Sequence, residues 1–131
     1  MYKTLLPIMI AMMLVCSCKH ENIRERMLRE SIEYNKKCPM HLDETTTLDS
    51  VNYSIEKNQY TYYYSLPAEI ASAITEESKE LYRKGLLESV VNATNLIDQK
   101  KEGVTFSYIF YREDTHETLF STTITKDDYK Q

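Results

Sequence analysis

The stretch VNYSIEKNQYTYYYSL, residues 51–66, decides the fold of this 131-residue chain. Apolar and polar residues alternate in both of its halves, and the Lys57-Asn58 pair between them is typical of a turn. Alternation with a period of two predicts two β-strands joined in a hairpin. One face of the second strand would carry three tyrosines, Tyr60, Tyr62 and Tyr64.

Helical periodicity is found on both sides of the hairpin. The first predicted helix begins at Ile23, and Cys38-Pro39 ends it because the residue before a proline avoids the helical region. The second predicted helix follows Thr75, a good N-cap, and has acidic residues in its first turn. Its apolar stripe consists of Tyr82, Leu86, Val90, Ala93 and Ile97.

Two further strands are predicted near the C-terminus. Beyond Gly103, apolar and polar residues alternate again until a loop at residues 112–116, and residues 119–125 are rich in β-branched side chains. The order of elements is therefore α-β-β-α-β-β. This order predicts an α+β fold, with an antiparallel four-stranded sheet and two helices packed on one face.

The N-terminus carries the features of an export signal. Lys3 precedes residues 5–15, an uncharged run that suits the apolar core of a signal peptide and is too short to span a membrane. The segment Val15-Cys16-Ser17-Cys18 resembles the lipobox of bacterial lipoproteins. The resemblance implies cleavage before Cys18 and acylation of that cysteine. Lys19 in the next position, in place of Asp, implies sorting to the outer membrane of a Gram-negative cell.

These features divide the chain into three parts. Residues 1–17 form a lipoprotein signal peptide that is removed, residues 18–22 the lipidated cysteine and a polar tether, and residues 23–131 a single α+β domain. The formal net charge is −4 and the sequence has no long basic run. Nucleic acid is therefore not an expected partner.

Cys38 and His41 are the sharpest candidates for chemistry. Their Cys-x-x-His spacing is that of half a zinc site, but zinc needs three or four ligands, and only Asp43 and Glu44 lie nearby. A Cys38 nucleophile would need His41 as its base, whereas a buried cysteine in a proline-constrained turn explains the same residues. We expect no catalytic residue, no metal and no cofactor. A small Cys38-dependent enzyme is the least favoured hypothesis.

A longer segment, NKKCPMHLDETTTLDSVNYSIEKNQYTYYYSL at residues 35–66, resembles a family of small exported bacterial proteins of uncharacterised function. The shared pattern precedes a Tyr-rich hairpin and is here Asn35, Pro39, Asp43, Thr46 and Leu48. GVTFSYIFYRED, residues 103–114, and ITKDDY, residues 124–129, resemble the closing strands of that family. The resemblance implies the same order of elements and supplies no activity.

The tyrosine-rich strand has two interpretations. Its three-tyrosine face is either core, with hydroxyls that reach the sheet edge, or an amphipathic surface suited to binding a protein. The residues that we predict to bind a partner project from the opposite face and are Thr61, Tyr63, Ser65 and Tyr111. Asp49-Ser50-Val51 resembles an O-glycosylation acceptor of some Gram-negative periplasms, with Ser50 modified, although the start of a strand explains it as well.

The favoured function is that of a non-catalytic, lipid-anchored cell-envelope protein that binds another protein. Its concrete form is an immunity protein against a periplasmic toxin. The alternative is a binding module for an envelope glycan or small ligand. The expected partners are the membrane, through the N-terminal lipid, and a protein. The expected location is the outer membrane, facing the periplasm or the cell surface.

Overall fold

The computed structural model describes residues 22–130. The helices and strands of these residues are α1 (Ile23–Asn35), β1 (Met40–His41), β2 (Thr47–Ser54), β3 (Gln59–Leu66), α2 (Ala68–Ser72), α3 (Glu76–Asn92), α4 (Ile97–Lys101), β4 (Thr105–Arg112), β5 (Thr118–Ile124) and α5 (Lys126–Tyr129). The predicted start of the first helix at Ile23 and the predicted N-cap at Thr75 are both confirmed. The chain is α+β, as expected, with three short helices beyond the two predicted.

Within the described residues, the strands form one five-stranded sheet in the order β1-β2-β3-β4-β5. Neighbouring strands are antiparallel except for β3 and β4, which pair in parallel over their whole length. The prediction of an antiparallel four-stranded sheet is therefore wrong. After β3 the chain crosses the sheet through α2, α3 and α4 and begins β4 at the same end, so the two strands run in parallel. The extra strand, β1, is two residues long and pairs with the start of β2.

The inner face of the sheet is built from aromatic rings. Cross-strand neighbours on this face are Tyr60 and Phe106, Tyr62 and Tyr108, and Tyr64 and Phe110. Rings stack directly at several of these positions, with centroids 5.2 Å apart for Tyr62 and Tyr108 and 5.1 Å apart for Tyr64 and Phe110. Parallel pairing thus places the tyrosines of β3 beside the aromatic residues of β4, in ring contacts that add to the area they bury.

Helix α1 packs on this inner face above β2 and β3. Met27 is fully buried, and its carbonyl oxygen accepts a hydrogen bond from the Tyr60 hydroxyl at 3.1 Å. The Asn35 side chain accepts a hydrogen bond from the backbone N–H of Val51 at 2.9 Å. Contacts at both ends of α1 therefore fix the helix to the hairpin.

Helix α3 covers the same face above β4 and β5 but packs more loosely. The Tyr82 ring lies 5.3 Å from the rings of both Phe110 and Phe120. Val90 is the one buried residue of this 17-residue helix. Four of its other apolar residues pack partly buried against the core, and Leu81 is the one left mostly exposed.

Asn58 connects the β2–β3 turn to the segment before β4. Its backbone has a φ of 51°, a left-handed conformation that asparagine tolerates better than most residues. Its side chain accepts a hydrogen bond from the Tyr53 hydroxyl at 2.7 Å and donates one to the Glu102 carbonyl at 2.9 Å. The backbone N–H of Thr105 donates to the carbonyl of Asn58 at 3.1 Å. This turn therefore helps to set the register of the parallel pair.

None of the helices at residues 22–130 has the length and apolar character needed to cross a bilayer.

Candidate functional site

Among the described residues, concave surfaces lie on both sides of the sheet. The first, which we call the tyrosine cleft, has a volume of about 300 Å³ on the helical side. It is lined by Glu30, Ser31 and Tyr34 of α1, by Val51, Tyr60 and Tyr62 of the sheet, and by Asn95, Leu96 and Gln99 next to α4. The cleft is therefore bordered by three separate segments that the fold brings together.

Three phenol groups at this side of the sheet are unusual. Among the described residues, the hydroxyls of Tyr62, Tyr64 and Tyr108 have no hydrogen-bond partner. Burial of these rings raises the pKa of Tyr64 to about 12 and raises the pKa of Tyr62 and of Tyr108 as well. Of the three, Tyr62 lines the tyrosine cleft, so its hydroxyl is a neutral donor and acceptor for a ligand bound there.

A second concavity on the helical side, the α3 patch, has a volume of about 580 Å³. Its lining comes from α3 alone and consists of Ser78, Leu81, Tyr82, Gly85, Leu86 and Ser89. The Leu81 side chain is 65% exposed, and at Gly85 a side chain would meet no atom within 4 Å. A row of ring contacts runs from Tyr82 of the α3 patch through Phe110 and Tyr64 of the core to Tyr62 of the tyrosine cleft.

The opposite, outer face of the sheet carries the residues that the sequence predicts to bind. A concavity of about 400 Å³ there, the sheet-side concavity, is lined by Asp49, Ser50, Tyr63, Ser65, Tyr111, Glu113 and His116. Thr61 lies on the same face of β3 but outside this lining. Three of the four predicted binding residues are therefore brought together, and their binding role stays a prediction.

The geometry of the sheet-side concavity depends on β3 and β4. The Tyr63 and Tyr111 rings lie 6.1 Å apart with their planes 8° from parallel. The Ser65 hydroxyl donates to the Asp49 carboxylate at 3.1 Å. Desolvation raises the pKa of Tyr111, with smaller contributions from Tyr63 and the negative charge of Asp49. This site combines a pair of aromatic rings with a carboxylate held in place.

The loop between β4 and β5 closes one end of that concavity. The backbone N–H of Glu113 donates to the Leu66 carbonyl at 2.9 Å, and the N–H of His116 donates to the Arg112 carbonyl at the same distance. His116 has a φ of 59°, so the loop turns sharply at this residue. Ser50, the predicted O-glycosylation residue, lies within β2 opposite Tyr63, and no observation tests its modification.

Cys38 and His41 each contact a different neighbour. The Cys38 sulfur lies 3.9 Å from the Tyr34 carbonyl oxygen, and burial, with the charge of Asp49, raises the pKa of the thiol. A raised pKa disfavours the thiolate that a nucleophile needs. The His41 ring lies 3.0 Å from the Thr47 hydroxyl. Across residues 22–130, no group of three or more His, Cys, Asp and Glu side chains could hold a metal ion.

The predicted signal peptide and the predicted lipidation at Cys18 lie outside the described residues. The α3 patch was missed at the level of sequence. The sequence does contain a signal for this patch. Apolar residues of α3 occupy more than one face of the helix, whereas packing against the sheet buries only one face.

Comparisons place these surfaces on a known fold. The model of a family described as a domain of unknown function (DUF8479) matches residues 22–120. No curated protein matches the sequence. A candidate secreted protein of Pseudomonas aeruginosa, PA3611, has a similar structure, with a TM-score of 0.67 and 18% identity over 82% of this chain and 90% of that one.

Two proteins of type II secretion systems have the same fold. The pilotin EpsS of Vibrio vulnificus gives a TM-score of 0.62 and 11% identity, over 85% of this chain and 99% of its own. The pilotin AspS of Vibrio cholerae gives a TM-score of 0.57 and 8% identity, over 80% of this chain and 94% of its own. At these identities the similarity is one of fold.

Proposed function

The chain belongs to the family described as a domain of unknown function (DUF8479), and we propose that it is a non-catalytic, lipid-anchored envelope protein that binds another protein with its helical side. The observation that carries the proposal is the α3 patch, an open concavity with the exposed Leu81 in its lining. One residue of this helix is buried, while the Leu81 side chain is 65% exposed and Tyr82 and Leu86 are half-buried. Apolar surface of this kind on an otherwise charged protein marks an interaction site.

The shape of the α3 patch favours a helical segment as the bound element. Ser78, Gly85 and Ser89 are small and lie along one side of α3, with Leu81 and Leu86 beside them. Small residues let a second helix approach closely, and the flanking leucines would insert between its side chains. Recognition would thus follow the mode in which an amphipathic helix lays its apolar face into a groove.

The tyrosine cleft would add specificity to that contact. A helix crossing from the α3 patch toward α1 would pass over Tyr64 and Tyr62, whose hydroxyls have no partner among the described residues. Each hydroxyl offers one donor and two acceptor positions to polar groups of the partner. Aromatic residues with a polar tip are also the type that dominates binding energy at protein interfaces.

The fold supports the class of partner. Two proteins with this fold are pilotins of type II secretion systems. We therefore place a subunit of an envelope secretion system first among the partners to test. An incoming periplasmic toxin is the second, since an immunity protein would need the same anchor and a similar exposed surface.

The anchor is the second part of the proposal. Acylation at Cys18 would hold the protein in the membrane, most simply in the outer membrane, because a lipoprotein cysteine carries several acyl chains. Metabolic labelling with an alkyne-tagged fatty acid tests this: the wild type should incorporate label, and Cys18→Ala should not. Labelling that persists in Cys18→Ala and disappears in Cys16→Ala would move the anchor to Cys16.

Capture from envelopes tests protein binding. The full-length chain with a C-terminal affinity tag is isolated after chemical cross-linking of intact cells and detergent extraction. One stoichiometric partner is expected with the wild type. Leu81→Glu should reduce its recovery at least about tenfold, because a charge in a buried apolar contact is strongly unfavourable.

Leu42→Glu is the matched control. Leu42 is 49% exposed and lies in the β1–β2 connection, away from α3. The Leu42→Glu variant should retain the partner, and so should Cys38→Ser. The proposal would be overturned if Leu81→Glu recovered as much partner as the wild type, or if no partner were captured from any extract. The identity of the captured protein separates a secretion subunit from a toxin.

A further inference from the structure

The outer face of the sheet is almost free of charge, although 27% of the residues of the chain are charged. Four cross-strand rows make up this face: Thr47, Ser65, Tyr111 and Thr118; Ser50, Tyr63, Ile109 and Ser121; Asn52, Thr61, Ser107 and Thr123; and Ser54, Gln59 and Thr105. Every residue in these rows is uncharged, and nearly all carry a hydroxyl or an amide. Such a surface offers neutral hydrogen-bonding groups to a ligand, although Thr61, Ser65 and Ser107 are themselves buried.

Charge returns at one end of the face only. Asp49, at the irregularity between Leu48 and Ser50, and Glu113, in the β4–β5 loop, both line the sheet-side concavity. His116 lies between β4 and β5 in the same lining. The concavity therefore combines two carboxylates, an imidazole and the nearly parallel Tyr63 and Tyr111 rings in about 400 Å³.

The geometry points to a binding site for a neutral saccharide in the sheet-side concavity, independent of the protein contact proposed for the helical side. A pyranose ring has an apolar face of C–H groups that packs against an aromatic ring, and its rim of hydroxyls donates to carboxylates. The Ser65 hydroxyl donates a hydrogen bond to the Asp49 carboxylate at 3.1 Å and so fixes the orientation of this acceptor. The remaining hydroxyls of the saccharide would form hydrogen bonds with the Ser and Thr side chains of the outer face.

The sign of the charge selects among glycans. Two carboxylates in one small concavity repel uronates and phosphorylated sugars, and because both residues are exposed this repulsion is strongest at low salt. A protein partner is the less suitable occupant, since four of the seven lining residues, Asp49, Ser50, Ser65 and Glu113, are of types depleted at protein interfaces. A neutral glycan of the envelope or of the cell exterior fits both conditions.

Calorimetric titration of the full-length protein in detergent tests the site. The probes are neutral hexasaccharides of α-1,4-glucose, β-1,4-glucose and β-1,4-N-acetylglucosamine, with an α-1,4-galacturonate hexamer as the anionic probe. At least one neutral probe should bind, with a dissociation constant of about 1 mM or below. The galacturonate should bind at least about tenfold more weakly than the best neutral probe.

Variants locate the binding. Tyr111→Ala should weaken the best probe at least about tenfold, as removal of an aromatic contact does at hot spots. Asp49→Asn, which keeps the size of the side chain, should narrow the preference for neutral over anionic probes. Tyr34→Ala, at an exposed tyrosine on the helical side, should leave saccharide binding unchanged.

Three outcomes would overturn the inference. One is that no neutral probe binds, and another is that the galacturonate binds as well as they do. The third is that Tyr111→Ala and Asp49→Asn, both folded by circular dichroism, bind as the wild type does. Leu81→Glu should still bind the saccharide, because Leu81 lies on the helical side and the site on the outer face. Loss of the protein contact can therefore be distinguished from loss of the saccharide site.

Discussion

The hydroxyl of Tyr60 donates a hydrogen bond to the carbonyl oxygen of Met27 at 3.1 Å, inside the core. It joins β3 to α1, two elements far apart in the chain. Tyr60→Phe removes this bond and little else, and should lower the free energy of unfolding by about 1 kcal/mol. Urea denaturation measures the difference.

Tyr62→Phe is the matched control for that experiment. The Tyr62 hydroxyl has no hydrogen-bond partner among the described residues, so its removal should change the free energy of unfolding by less than about 0.5 kcal/mol. Equal losses in the two variants would contradict the role assigned to the Tyr60–Met27 bond.

Met27 itself should be among the residues that the fold tolerates least. Its side chain is fully buried, and Met27→Ala should cost about 2–5 kcal/mol through lost burial and a residual cavity. Leu81→Ala, at a side chain 65% exposed, should cost less than about 1 kcal/mol. A large loss in Leu81→Ala would mean that α3 packs more tightly than the contacts show.

The turn at Asn58 separates backbone conformation from side-chain bonding. Asn58→Ala loses both side-chain hydrogen bonds and places alanine at a φ of 51°, whereas Asn58→Gly loses the bonds alone. We expect Asn58→Ala to lower the free energy of unfolding by about 2 kcal/mol or more. For Asn58→Gly the decrease should be smaller than for alanine by about 1 kcal/mol. Thermal unfolding of the two variants side by side gives the order, and a glycine variant less stable than the alanine variant would contradict it.

Alkaline pH should destabilise the fold through its buried tyrosines. Burial raises the pKa of Tyr60 and that of Tyr64 to about 12 in the folded state, whereas the unfolded chain releases these protons near pH 10. The folded state then binds more protons than the unfolded state between these values. The stabilising contribution is complete below about pH 10 and is lost as the pH rises toward 12.

Absorbance at 295 nm and urea denaturation at a series of pH values check this dependence. The Tyr60→Phe, Tyr64→Phe double variant should lose less stability between pH 9 and pH 12 than the wild type, since it lacks two of the groups that titrate. Identical slopes for the two proteins would contradict the assignment.

The elements could be predicted from the sequence because their signals are local. The period of two at residues 51–66 and the N-cap at Thr75 each depend on neighbouring residues alone, and both correspond to elements of the structure. Strand order was predicted less well. The pairing of β3 with β4 depends on where a long helical connection returns to the sheet, and the alternation within either strand carries no information about it.

The candidate surfaces likewise depend partly on local sequence, which could be read, and partly on tertiary structure, which could not. Tyr63 and Ser65 could be placed on one face of β3, and Tyr111 on one face of β4, from alternation alone, but that the two strands are neighbours could not be predicted. The contributions of Glu113 and His116 could not, because they depend on a left-handed residue in the β4–β5 loop. Likewise, the loose fit of α3 becomes visible only once the area that the sheet covers is known.

The parallel pairing of β3 and β4 also has a consequence for the order of folding. The β2–β3 and β4–β5 hairpins close over short loops, whereas β3 and β4 meet only after the whole helical connection has been gathered up, at a larger loss of chain entropy. Until then β3 presents an unpaired, tyrosine-rich edge. We therefore expect this interval to be the one in which the newly made chain is most prone to aggregate.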